Sequence, residues 1–157
     1  MCIRDSEWNE QWRSKVVSSK ESWSEEAKTV TITPPNITFS NSMYMEFGLH
    51  KIRIKFLGKA HTSGDIFIYL PDAKVLFTGD VAQNQGIPFF GDSYPNEWIQ
   101  TSESMADISI NAFMSGHGPI GAQKDLSDAK DFIQALINNV MYSKSNGLDK
   151  DLSLIHI

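Results

Sequence analysis

Lys59–Asp80 reads KAHTSGDIFIYLPDAKVLFTGD. It holds two apolar runs, Ile66–Leu70 and Lys74–Phe77, joined at Pro71-Asp72-Ala73. Short apolar runs bounded by turn residues are expected to be buried strands, and two strands joined by so short a connection are expected to form a hairpin. A polar cluster flanks each run, Ala60–Asp65 before the first and Thr78-Gly79-Asp80 after the second. In a hairpin the start of the first strand lies beside the end of the second. His61 and Asp80 are therefore expected at one end of the sheet although far apart in sequence. A third cluster, Ser115-Gly116-His117-Gly118-Pro119, follows the apolar run Ile108–Met114. Two imidazoles and a carboxylate at strand ends are the donors that a metal site on a sheet rim needs.

Working outward, Glu7–Glu26 reads as one amphipathic helix, with Trp8, Trp12, Val16 and Trp23 on its apolar side. Lys28–Thr33 (KTVTIT) has the β-branched alternation of a strand, Pro34-Pro35 ends it, and Asn36–Phe39 is a candidate edge strand. Met43–Phe47 and His50–Leu57 are expected to form a hairpin at Gly48-Leu49. In the second of these, Ile52, Ile54 and Phe56 alternate with Lys51, Arg53 and Lys55. That period of two places the apolar set on the core and the basic set in solvent. Val81–Ser93 reads as a loop with Phe89 and Phe90 in it. Asn96 is a candidate N-cap for a helix over Glu97–Ala106. Lys124–Tyr142 carries Leu126, Ala129, Ile133, Leu136, Ile137 and Val140 on one face of a long helix, and Gly147 follows as a stop. Helices and mostly hairpin-connected strands in this order predict an α+β fold, with helices covering a sheet.

The 157 residues suffice for one domain with a core. An apolar fraction of 41% with 21% charged residues is that of a globular chain. The net charge of −5 offers no basic field for a nucleic-acid backbone. No apolar run is long enough to span a bilayer, so no membrane role is expected. Cys2 is the only cysteine, which excludes an intrachain disulfide. Residues 1–6 (MCIRDS) and 152–157 (LSLIHI) match neither flanking pattern and are expected to be non-native tails. Compartment and oligomeric state have no signal in the sequence.

Imidazole nitrogen and carboxylate oxygen together suit a borderline divalent ion such as zinc. Thr62 and Asp65 are placed to orient His61 by hydrogen bonds from behind, as side chains around metal-binding histidines do. Water on such an ion ionises near neutral pH and attacks a carbonyl without a protein nucleophile. Taken singly, each of these residues reads more simply as structural: His61 as a hydrogen-bonded strand-end histidine, Asp80 and Asp65 as turn residues. His50 reads as a solvent-facing turn residue. Neither Ser63 nor Ser115 lies in a G-x-S-x-G elbow, which argues against a serine hydrolase.

The order of the three clusters resembles the second half of a metallo-β-lactamase-fold hydrolase, over about Thr31 to Tyr142. In that family a histidine in an xHTxGx loop, an aspartate in TGD and a histidine in a GHG turn are metal ligands; His61, Asp80 and His117 occupy those positions here. The resemblance implies a four-layer αβ/βα sandwich with two divalent metal ions on one rim, zinc in the first place with iron or manganese as alternatives. His61 would hold one ion, His117 the other and Asp80 both. Aspartate rather than cysteine at the bridging position resembles glyoxalase-II-type and lactonase-type enzymes. The implied reaction is hydrolysis of an ester, thioester or lactone, hence a small-molecule substrate. The family's HxHxDH motif is absent: His50 is the first histidine and no HxH pair occurs. The chain is therefore expected to be a single truncated domain, 1–157, lacking the N-terminal portion of the sandwich, inactive as it stands and exposing an apolar sheet face. The alternatives are an iron-dependent oxidoreductase or sulfur dioxygenase of the same fold, and a non-enzymatic domain kept for binding.

Overall fold

The computed structural model describes residues 4–19, 23–31, 33 and 35–148. The chain divides into two compact units, Met1–Ser40 and Asn41–Ile157.

In the first unit the single helix expected over Glu7–Glu26 is two: α1, Arg4–Val17, and α2, Ser24–Ala27. Two serines mark the break. The Ser18 hydroxyl donates to the Lys15 carbonyl at 2.9 Å and the Ser19 hydroxyl to the Val16 carbonyl at 2.7 Å. Such local bonds compete with helix continuation. Val16 is buried; the side chains of Trp8 and Trp12 lie outside the described residues. The strands expected at Lys28–Thr33 and Asn36–Phe39 do not form among the described residues. The reason is visible in the backbone. The N–H groups of Lys28, Thr29 and Val30 turn back to the carbonyls of Glu25, Glu26 and Ala27, and the Thr29 hydroxyl donates to Glu26 O at 2.8 Å. Donors that a ladder would need are satisfied locally, so β-propensity alone decides nothing. Ile32 and Pro34 lie outside the described residues.

The second unit is a five-stranded sheet in the order β1-β2-β3-β4-β5. Its strands are β1 Ser42–Phe47, β2 His50–Lys55, β3 Phe67–Leu70, β4 Val75–Gly79 and β5 Ala112–Ser115. Both expected hairpins are present. Phe47 pairs with His50 across Gly48-Leu49, and Leu70 pairs with Val75 across Pro71–Lys74. β5 runs parallel to β4, which requires a crossover; helix α3, Pro95–Ala106, lies within it. Helix α4, Gln123–Ser145, closes the unit.

Directly paired residues share a sheet face. Tyr44, Arg53, Tyr69, Leu76 and Phe113 lie in one row, and Met43, Ile54, Ile68, Phe77 and Met114 in the next, on the opposite face. On the first face, Phe67, Leu76 and Phe113 are buried with Trp98 and Met105 of α3 and Leu126, Ile133 and Ile137 of α4. The α+β reading therefore stands, as a helix layer on a sheet layer. The period of two in β2 is seen in burial, with Ile54 buried and Lys51 and Arg53 exposed; that apolar stripe lies on the face opposite the helix-covered core.

Three boundaries move for stated reasons. α3 begins at Pro95 with Tyr94 before it and no side-chain cap, so Asn96 is already inside the helix; proline at the first helical position is pre-set for that role. Of the run Ile108–Met114, Ile110 N–H donates to Gln123 Oε1 at 2.9 Å and Asn111 N–H to Lys74 O at 2.7 Å. Only the later residues join the sheet. α4 runs on to Ser145, and Gly147 follows with φ 72°, the left-handed conformation common just past a helix end. At its start Asp125 Oδ2 accepts the Ala122 N–H at 2.8 Å. Asp125→Ala is expected to lower stability by about 1 kcal/mol, the usual worth of a helix N-terminal side-chain bond, read as a lower urea midpoint with unchanged slope.

Candidate functional site

β4 ends at Thr78-Gly79, and the chain turns at once. The Thr78 hydroxyl, buried, donates to Ala82 O at 3.1 Å, and Val81 N–H donates to Thr78 O at 3.3 Å. Asp80 sits on this turn. Beside it the parallel β5 ends opposite the end of β4: after a register shift between Phe77 and Gly79, Gly79 lies opposite Ser115, and Gly116 N–H donates to Gly79 O at 2.8 Å. The two strands thus release Asp80 and His117 side by side. His117 Nε2 lies 3.6 Å from Asp80 Oδ1, with the imidazole 72% and the carboxylate 30% exposed. That distance is beyond a hydrogen bond, so neither lone pair is consumed by the other group. A Cβ on Gly116 would run into Asp80 Oδ1. The glycine is what permits the approach.

The turn that carries His117 is held from three sides. The Ser115 hydroxyl donates to the His117 carbonyl. Asn84, itself buried, donates from Nδ2 to Pro119 O at 3.3 Å. Phe113 and Gly121 exchange both backbone bonds at 2.8 and 3.0 Å.

His61 sits in the loop between β2 and β3. Thr62 N–H and its hydroxyl both donate to the Asp65 carboxylate at 2.8 Å, and Gly64 N–H donates to Thr62 Oγ1 at 3.2 Å. Thr62 and Asp65 therefore shape the loop through each other. Two bonds from α3 and its approach hold the loop's other arm, Tyr94 N–H to Ala60 O and the Thr101 hydroxyl to Lys59 O, each 2.8 Å. The His61 ring meets the Trp98 indole edge-on with centroids 5.9 Å apart. The same indole donates from Nε1 to Val81 O at 3.0 Å, one residue past Asp80.

The structure thus brings Asp80 and His117 together directly, and joins His61 to the chain leaving Asp80 through Trp98. Among the described residues no group of three or more His, Cys, Asp or Glu is arranged to hold a metal ion. The Asp80–His117 pair offers one oxygen and one nitrogen donor, the chemistry a zinc-like ion takes, in a space that a Cβ at residue 116 would fill. Of the aromatic residues in or near the 81–93 loop, Trp98 is fully buried and Phe90 stacks on it at 4.9 Å. The Tyr94 ring lies under Lys59 Nζ at 4.6 Å, and Phe89 is exposed. Packing accounts for the first two. A cavity of about 470 Å³ between Gln83–Pro88 and α4 is lined by none of His61, Asp80 and His117. Asn84 and Thr101 carry no motif that would single them out in the sequence, and the bridging role of Trp98 is a matter of tertiary geometry.

A sequence model of the metallo-beta-lactamase superfamily matches residues 20–117, which include His61, Asp80 and His117. The chain is 32% identical over 82 residues to a metallo-beta-lactamase type 2 of Bacillus sp. (strain 170). It is 30% identical over 82 residues to the enzyme of that name in Bacillus cereus. Each match takes in 49% of this chain and 32% of the relative, so the chain spans about a third of the length of these curated relatives. A solved metallo-beta-lactamase from Pontibacter korlensis superposes with a TM-score of 0.59 at 24% identity, covering 65% of this chain and 50% of that one. That likeness is one of fold.

Proposed function

This chain belongs to the metallo-beta-lactamase superfamily, and from that premise we propose that it is part of a metal-dependent hydrolase acting on an ester, thioester or lactone. The superfamily generally binds divalent metals, typically zinc. His61, Asp80 and His117 would be the ligands this chain supplies, Asp80 shared between two ions. The observation that carries the reading is the Asp80–His117 approach at 3.6 Å, with a glycine clearing the space between strand ends. When bound, a zinc-like ion supplies Lewis acidity and lowers the pKa of a coordinated water toward neutrality.

The chain's own residues do the rest. The Asp80 carboxylate brings a negative charge to the rim and would help keep a cation there. Ser115, Asn84 and Pro119 fix the turn that presents the His117 ring. Thr62 and Asp65 set the loop that presents His61. The glyoxalase-II-like character rests on aspartate at position 80. The substrate is a small molecule, and the net charge of −5 disfavours a nucleic acid. With no HxH pair in the sequence, these three ligands alone take up metal weakly and support no turnover.

Titration of the full chain with Co²⁺, followed by its absorption spectrum, tests this. Weak binding is expected in the unaltered chain, falling at least about tenfold in Asp80→Ala and in His117→Ala, a loss of the order seen when groups that tune a metal site are removed. Equal affinity in all three proteins would refute the assignment.

A further inference from the structure

We infer that Trp98 is a positioning residue, whose indole fixes the His61 ring against the stretch of chain that leaves Asp80. The inference rests on the metal-site reading above, and adds to it the part that holds two of the proposed ligands in register. Asp80 and His117 need no such part: adjacent parallel strands deliver them together, with Gly79 opposite Ser115. His61 comes from a separate loop and has no strand to set its distance from Asp80.

Five observations show α3 and its approach filling that gap. Trp98 is fully buried, so its ring has one place to be. The indole meets the His61 imidazole at 5.9 Å and 80°, a T-shaped contact of the kind aromatic pairs prefer. Its Nε1–H is committed to Val81 O at 3.0 Å, which ties the indole to the turn carrying Asp80. The bonds Tyr94 N–H to Ala60 O and Thr101 hydroxyl to Lys59 O bracket the contact on the loop side. A Cβ on Gly58 would run into Thr101 Oγ1, so the loop lies close against the helix. A tryptophan needed only for packing would not require a donor aimed at the residue after a proposed ligand, or a perpendicular ring contact with another. The indole does both.

The test uses the full chain and two variants. Trp98→Phe keeps an aromatic ring and removes the donor; Thr101→Val removes the Lys59 tie at nearly constant volume. In the unaltered chain, nuclear Overhauser contacts are expected between the His61 ring protons and the Trp98 indole, together with a ring-current shift of the His61 signals. Their absence overturns the proposal whether or not any variant folds. With Co²⁺, Trp98→Phe is expected to bind about tenfold more weakly, within the range for residues that orient metal ligands. In a His61→Ala background the same change is expected to have no further effect, because coupled residues depart from additivity. Thr101→Val should show a smaller loss with the same dependence on His61. Additive losses, or wild-type affinity in a folded Trp98→Phe, would mean that Trp98 only fills the core. If the unaltered chain takes up no Co²⁺ while the ring contact is present, the metal-site reading falls and the placement of His61 by Trp98 stands.

Discussion

Gly118→Ala is expected to cost about 3 kcal/mol of stability, a large part of the ~5–15 kcal/mol that a domain has to lose. Gly118 has φ 100°, outside the conformations an L side chain adopts readily. A Cβ there would run into the Asn84 carbonyl oxygen and lie 3.2 Å from the Asn84 carbonyl carbon. These are backbone atoms, and the residue they belong to is pinned. Asn84 is buried, its Nδ2 is bonded to Pro119 O at 3.3 Å, and Gly121 packs against that same amide. Backbone strain of about 1–3 kcal/mol and overpacking of about 1–3 kcal/mol both apply, and no flexible side chain can move aside to relieve either. Gly48→Ala is the matched control: φ is 61°, and nothing lies within 4 Å of the added carbon. It should cost only the left-handed penalty of about 1–2 kcal/mol. Urea denaturation of the two variants beside the unaltered chain separates them. A Gly118→Ala midpoint equal to that of Gly48→Ala would show that the backbone at Asn84 yields to the added carbon.

The elements that sequence made legible share a property: their signal is local. The hairpin from Ile66 to Phe77 announces itself by two apolar runs and a proline turn, and β3 and β4 pair as expected with Ile68 opposite Phe77. The β1–β2 hairpin is equally plain because Gly48 takes the left-handed conformation its turn requires. The face of α4 carrying Leu126, Ile133 and Ile137 is set by helical spacing, and all three are buried. Local signals also place Asp80 and His117 just past strand ends and His61 in the loop between two strands, since glycine and polar residues there interrupt apolar runs.

What sequence left open depended on partners. KTVTIT has strand composition, yet the N–H groups of Lys28, Thr29 and Val30 are spent on the turn after α2. A strand forms only where a neighbour offers a ladder. The apolar side of β2 was evident, but whether α3 and α4 cover that side or its opposite is decided by Phe67, Leu76 and Phe113, on strands further along the sheet. The site divides in the same way. Aspartate and histidine were visible as chemistry, whereas Trp98 and Asn84, which tie the ligand-bearing turns to their surroundings, look from sequence like one more apolar residue and one more loop amide.

Gly116→Ala should do the reverse of Gly118→Ala, leaving the fold nearly intact and disabling the rim. The backbone at Gly116 is not in the left-handed region, so alanine brings no φ penalty. The atom its Cβ would strike is Asp80 Oδ1, the end of a side chain, and Asp80 is partly exposed and free to swing outward. The bond from Gly116 N–H to Gly79 O at 2.8 Å does not involve a side chain and is kept. The domain relaxes by turning the carboxylate away, and that motion takes it from His117. Metal uptake by the chain is therefore expected to drop about 100-fold, the upper end of the range for changes that misdirect a ligand, while the urea midpoint shifts by less than about 1 kcal/mol in equivalent stability. Co²⁺ titration and denaturation on the same sample give both numbers. Loss of metal binding together with unfolding would mean that residue 116 supports the β4–β5 junction itself. Unchanged binding would mean that Asp80 reaches the ion from another rotamer, and that its 3.6 Å approach to His117 is not what holds the metal.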